Sequence, residues 1–125
     1  MTFALVAAGG ALGALARYAI SLAALKHLGD SWPWGTLMAN LLGCLALGVV
    51  THVVARPGVN LEGLRLFAAV GLLGSLTTFS TLCFEVVVLI QNRSISAAIA
   101  YVGASLVGGL FLAAGGWFAA GRAIP

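Results

Sequence analysis

Most residues in this chain that could do chemistry are neutral donors set into apolar runs. Thr36, Asn40, Cys44 and Thr51 fall close to one face of a helix, with Gly43 and Gly48 beside them. The Asn40 amide can donate two hydrogen bonds without carrying charge. Tyr101 and Ser105 stand one turn apart, and Gly109 follows a turn further on. Between these runs lies the stretch GSLTTFST at 74–81, where five of the seven residues from Ser75 to Thr81 carry hydroxyls around the single ring of Phe79. Thr78, Thr81 and Glu85 follow one another at three- and four-residue spacing, with Ser80 adjacent.

Only Arg17 and Glu85 are ionisable and lie clearly inside apolar runs. No nucleophile with its base, no metal-ligand cluster and no phosphate loop is visible. GALGALA has no strand before it and reads as a packing run of glycines. Catalysis is therefore not expected. Polar groups in hydrocarbon are expensive and face an interior or an aqueous path. Two uses fit Asn40 equally well on its own: a pore donor, or an interhelical hydrogen bond that glues a bundle. Taken together, Asn40, Tyr101, Ser105 and the hydroxyls of 75–81 describe a conduit lined by neutral donors, which suits a small, strongly hydrated anion. Phe79 fits as well, because an aromatic edge is positively polarised. Fixed cationic rings of the kind used in some anion pores are missing.

The elements that must position these groups follow from composition. Of 125 residues 62% are hydrophobic and 7% charged, with mean hydropathy +1.12. A soluble domain carries roughly 25% charged residues, so the fitting solvent is a bilayer. Apolar runs at about 2–25, 35–55, 64–90 and 95–120 are each long enough to span it, since a crossing takes about 20 residues. The chain is expected to be one all-α integral membrane domain of four transmembrane helices in a multi-pass plasma (inner) membrane protein. The first run reads as a span rather than a removable leader, because Arg17 would interrupt a signal sequence. Trp32, Trp34 and Trp117 fall where interfacial aromatic belts occur. The six basic residues are scattered singly, which excludes a nucleic-acid footprint. Cys44 and Cys83 lack metal-site spacing and read as small packing residues.

Small residues at Gly9, Gly10 and Gly13, and at Ala100, Ala104 and Gly108, allow close helix approach. That serves packing within one chain, or a dimer interface as well. Four helices leave little interior for a solvated path, which favours a homo-oligomer. Arg56, Arg65 and Arg122 lie on one side, against Lys26 and Arg93 on the other, with Arg17 facing that second side. So even a balance sets no orientation, and it supports insertion in both directions with antiparallel pairing.

The stretches GGALGALARY, WPWGTLMANLLGCLALG, GLLGSLTTFSTLCFE and YVGAS resemble, in order and spacing, the Fluc/CrcB family of fluoride channels. The resemblance covers nearly the whole chain, and the second and third stretches together are its most specific part. It implies a fluoride-selective ion channel giving passive export, which protects cells when fluoride accumulates after entering as HF. It also implies an antiparallel dual-topology homodimer with two pores, a third helix broken near its middle, and a structural Na+ at the dimer interface. Residue by residue, Asn40 would be the pore amide and Phe79 the ring whose edge contacts fluoride. Tyr101 and Ser105 would form a polar track with the hydroxyls of Ser80 and Thr81. Thr36 and Glu85 would lie beside the exit route, and Arg17 at the vestibule. Gly74 and Thr77 would offer backbone carbonyls to the sodium ion. The pattern departs at Leu82, where many members have a second phenylalanine, and at Gly109, where some have a further serine. Conduction at an altered rate is the consequence expected. Two other classes stand as alternatives. A small proton-coupled multidrug exporter of the four-helix antiparallel type relies on an acid in the first span, which this chain lacks. In a non-transporting assembly subunit the polar stripes would be glue.

Overall fold

A computed structural model describes residues 1–58 and 60–123. All regular structure among them is helical. Helix α1 covers Thr2–Leu28 and α2 covers Trp34–Val54. The third span, Glu62–Gln91, is composite. It begins with a short turn α3 (Glu62–Leu64), widens into a π-helical segment Arg65–Leu73, and tightens again as α4 (Gly74–Leu76). Thr77 and Thr78 then have extended backbones, with φ/ψ of −86°/153° and −150°/124°. Helix α5 (Phe79–Gln91) resumes after them, and α6 covers Ile95–Ala123.

Local chemistry accounts for these boundaries. Thr78 caps α5: its Oγ1 accepts a hydrogen bond from the Thr81 N–H at 3.3 Å, the arrangement that satisfies an orphan donor at a helix start. Gly29 ends α1 with φ 79°, a conformation glycine adopts without steric cost. The tight turn between α5 and α6 places Arg93 at φ 58°. It closes with hydrogen bonds from the N–H groups of Arg93 and Ser94 to Ile90 and Leu89, both 2.9 Å. At the entrance to the third span Arg65 forms a two-pronged pair with Glu62 at 2.7 and 2.8 Å.

Four helices among the described residues are long and apolar enough to cross a membrane. The chain is thus an all-helical, multi-pass integral membrane protein. Helix α2 lies at the centre, with one buried cluster on each side. Ala39, Leu73 and Leu76 form the first, and Leu37, Leu82 and Tyr101 the second.

Glycines set the two closest approaches. A Cβ on Gly13 would collide with the carbonyl oxygen of Leu72, and one on Gly48 with the carbonyl oxygen of Ala113. Helix α1 therefore lies against the π-helical segment backbone to backbone, as α2 lies against α6. In both pairs the contacts advance together along the two chains, 41 with 108, 48 with 113 and 52 with 121 in the second. The members of each pair run parallel, as alternate spans of an up-and-down bundle must.

Candidate functional site: a polar track through the bundle

The break at Thr77 and Thr78 strands backbone groups at membrane depth, where unsatisfied N–H and C=O groups cost several kcal/mol. Asn40 meets this need. Its Nδ2–H donates to the Thr78 carbonyl at 3.0 Å, and its Oδ1 accepts from the Thr78 N–H at 2.7 Å. One of the two N–H bonds of the amide is thereby committed to the backbone.

The break also redirects two donors. In an unbroken α-helix the Thr78 N–H would bond to the carbonyl of Gly74, and the Thr81 N–H to that of Thr77. Here the first goes to Asn40 and the second to the Thr78 hydroxyl. The carbonyls of Gly74 and Thr77 have both lost their α-helical donors. Thr77 keeps its own N–H and Oγ1 on the Leu73 carbonyl, at 3.1 and 3.0 Å.

A second constellation centres on Glu85. Thr36 Oγ1 donates to Glu85 Oε1 at 2.7 Å, and Tyr101 Oη donates to Oε2 at 2.6 Å. Three spans are joined through one carboxylate. Tyr101 is fully buried, and the Trp32 ring meets it at 70° with centroids 5.5 Å apart. Trp34 in turn stands T-shaped to Trp32 at 4.6 Å.

Three cavities sharing walls connect these groups. The outermost, about 420 Å³, is lined by the 29–36 turn together with Thr36, Glu85 and Asn92. Ser21 and Thr36 also border the next, about 280 Å³, whose wall includes Arg17, Thr78 and Thr81. Thr78 in turn borders a third, about 240 Å³, with Asn40, Cys44, Phe79, Leu82 and Ser105. Along the track come two acids, Asp30 and Glu85, then Arg17, and then neutral groups. Within the third cavity the buried Ser105 Oγ has no hydrogen-bond partner among the described residues. Phe79 is 72% exposed and Ser80 is exposed, so this end of the track opens on the surface of the protomer.

The residues singled out in the sequence thus fall into three groups. Thr36, Glu85 and Tyr101 are bonded to one another. Arg17 and Thr81 share the middle cavity, and Thr81 accepts from the Thr78 hydroxyl at 3.0 Å. Asn40, Phe79 and Ser105 share the inner one. Ser80 meets the Thr78 hydroxyl at 3.3 Å. Thr51 does not join the track; its hydroxyl turns back onto the carbonyls of Leu47 and Gly48 within α2. Thr78 is the residue whose role was not evident beforehand, since its partner amide uses its backbone. The signal was its place one residue before α5, as a hydroxyl capping a helix start.

Fold and site together define a small four-span membrane protein with a polar track of mostly neutral donors beside a discontinuous helix. The model of the CrcB-like protein family (camphor resistance, CrcB) matches residues 4–117, and the chain belongs to that family. Similar curated proteins include those named fluoride-specific ion channel FluC from three organisms. The one from Rhodospirillum centenum is 44% identical over 109 residues, 85% of this chain and 86% of its own. That from Thermus thermophilus is 42% identical over 111 residues, 89% and 88% of the two chains. That from a Caulobacter species is 41% identical over 104 residues, 82% and 81%.

Proposed function

We propose that this protein is a fluoride-selective ion channel that lets fluoride leave the cell passively and so relieves its toxicity. Membership of the CrcB-like family and the names of its relatives support the substrate. The observation that carries the mechanism is the third cavity, lined by Asn40, Phe79 and Ser105, whose buried hydroxyl has no partner among the described residues. Asn40 has one N–H left after serving Thr78. With the Ser105 O–H and the ring edge of Phe79, it can replace water around a small anion. Arg17, in the adjoining cavity, adds positive potential that draws an anion inward. Thr36 and Tyr101 spend their hydroxyls on Glu85. An anion that takes either does so in exchange for that carboxylate. The same clamp argues against proton-coupled export, which needs a carboxylate free to exchange protons and cargo.

The working unit is an antiparallel, dual-topology homodimer. Its support is the balanced charge of the two sides and the exposure of Phe79 and Ser80 on the protomer. A polar track open to lipid is costly, and a second copy would close it. A structural Na+ at the dimer interface fits the carbonyls of Gly74 and Thr77, which the break deprives of their helical donors. Bound there, the ion would supply positive charge that offsets the carbonyl dipoles. The test is efflux of fluoride and of chloride from liposomes containing the purified protein. Fluoride efflux well above chloride efflux is expected, and no fluoride efflux overturns the assignment.

A further inference from the structure

The third cavity has one more heteroatom on its wall that the groups above do not use. Cys44 stands on α2 one turn beyond Asn40, and Gly109 stands on α6 one turn beyond Ser105. A side chain continuing the Ser105 row would begin at position 109, but glycine supplies none. The space beside it is not empty: a Cβ built on Gly109 would lie 3.3 Å from Cys44 Sγ. The thiol fills from α2 the place a residue on α6 would otherwise hold. Cys44 also lines the cavity of about 240 Å³ with Asn40, Phe79 and Ser105. A second, independent feature marks that cavity as built for a ligand. Ser105 is only 9% exposed, and its Oγ has no partner among the described residues. A buried hydroxyl left unpaired carries a desolvation cost that a ligand would relieve.

We propose that the Cys44 thiol is an anion-contacting member of the donor track, continuing the line from Asn40 and Ser105 across the gap left by Gly109. Its S–H is a weak donor on a polarisable atom, suited to passing an anion onward rather than holding it. The proposal rests on the channel reading above, and it assigns Cys44 a role distinct from packing. Cys83, exposed on α5, lines instead a cavity of about 290 Å³ bordered by neither Asn40 nor Ser105.

The test compares fluoride efflux rates of liposomes carrying the wild-type chain and four variants, each first checked for the same assembly size in detergent. Cys44→Val removes the donor and puts a slightly larger apolar side chain in its place. Cys44→Ser restores a donor and is expected to conduct about tenfold faster than Cys44→Val, the rate equivalent of one hydrogen bond to a charged group. Cys44→Ala combined with Gly109→Ser returns a donor to the same space from α6, and should outpace Cys44→Ala alone by a similar factor. Equal rates for Cys44→Val and Cys44→Ser in a wild-type background that conducts would overturn the thiol's role and leave the channel assignment standing. A wild-type chain that passes no fluoride overturns both.

Discussion

Asn40 grips Thr78 at both ends of one peptide residue, donating to its carbonyl at 3.0 Å and accepting from its N–H at 2.7 Å. A side-chain amide here substitutes for the helix that stops. Asn40 is therefore structural, and the proposed channel gives it a functional part as well. The backbone has two groups to satisfy, which leaves one N–H of the amide over. Asn40→Ala leaves both Thr78 groups unpaired and is expected to cost about 2–6 kcal/mol, at about 1–3 kcal/mol for each buried group. Asn40→Asp retains the acceptor for the Thr78 N–H and should lose less stability than alanine, while its charge suppresses anion flux. Unfolding in detergent separates the two effects from fluoride efflux. Equal stability of the alanine variant and wild type would contradict the pairing.

The clamp on Glu85 predicts energetic coupling. Thr36→Val and Tyr101→Phe each remove one donor from the carboxylate, and hydrogen bonds to charged groups contribute about 1.5–3 kcal/mol. Tyr101→Phe should therefore destabilise wild type by about that much but cost far less in a Glu85→Leu background. The cycle is read from unfolding midpoints in detergent. Additive losses would mean that Tyr101 contributes through its ring packing against Leu37 and Leu82, and not through its hydroxyl.

Four spans were legible from hydropathy alone because each run is nearly uniform and the turns between them are rich in Pro, Asn and charge. Helical spacing also assigned Thr36, Asn40, Tyr101 and Ser105 to polar faces. It could not say which faces meet. Thr36, Glu85 and Tyr101 lie on three different spans, and only packing makes Glu85 the common acceptor. The Asn40 partner was hidden for another reason: it is backbone, and side-chain types do not report where a helix releases its N–H and C=O groups. Cys44 reads as an apolar packing residue until the missing side chain of Gly109 places its sulfur on a cavity wall.

The glycines separate in the same way. Gly9, Gly10 and Gly13 look equivalent in a GGxxG stretch, yet a Cβ on Gly10 meets nothing within 4 Å, whereas one on Gly13 strikes the Leu72 backbone. Backbone cannot yield as a flexible side chain does. Gly13→Ala and Gly48→Ala should each cost about 1–3 kcal/mol, the usual range for overpacking. Gly10→Ala and Gly115→Ala, which open on free space within the protomer, should leave monomer stability unchanged. Should Gly10→Ala instead weaken assembly on size-exclusion chromatography, it would mark that face as the contact with a second copy.

Leu82 raises the question of whether one ring suffices. It is buried against Leu37 and Tyr101, yet it also borders the cavity shared with Phe79 and Ser105 and a second of about 290 Å³ shared with Phe79, Val86 and Leu106. That adjoining space can take the added volume of a phenyl ring. Leu82→Phe should accordingly change stability by less than about 1.5 kcal/mol, as for a tolerated apolar exchange. Phe79 has no aromatic neighbour in either cavity, so its edge is the only one offered there. Phe79→Leu, which removes the polarised edge but keeps an apolar side chain, should lower fluoride efflux by about tenfold, the upper value of one aromatic contact converted to a rate. Leu82→Phe should move efflux by less. If Phe79→Leu conducts as wild type does while Asn40→Asp does not, the anion is held by the amide and hydroxyls alone, and the ring serves only to exclude lipid.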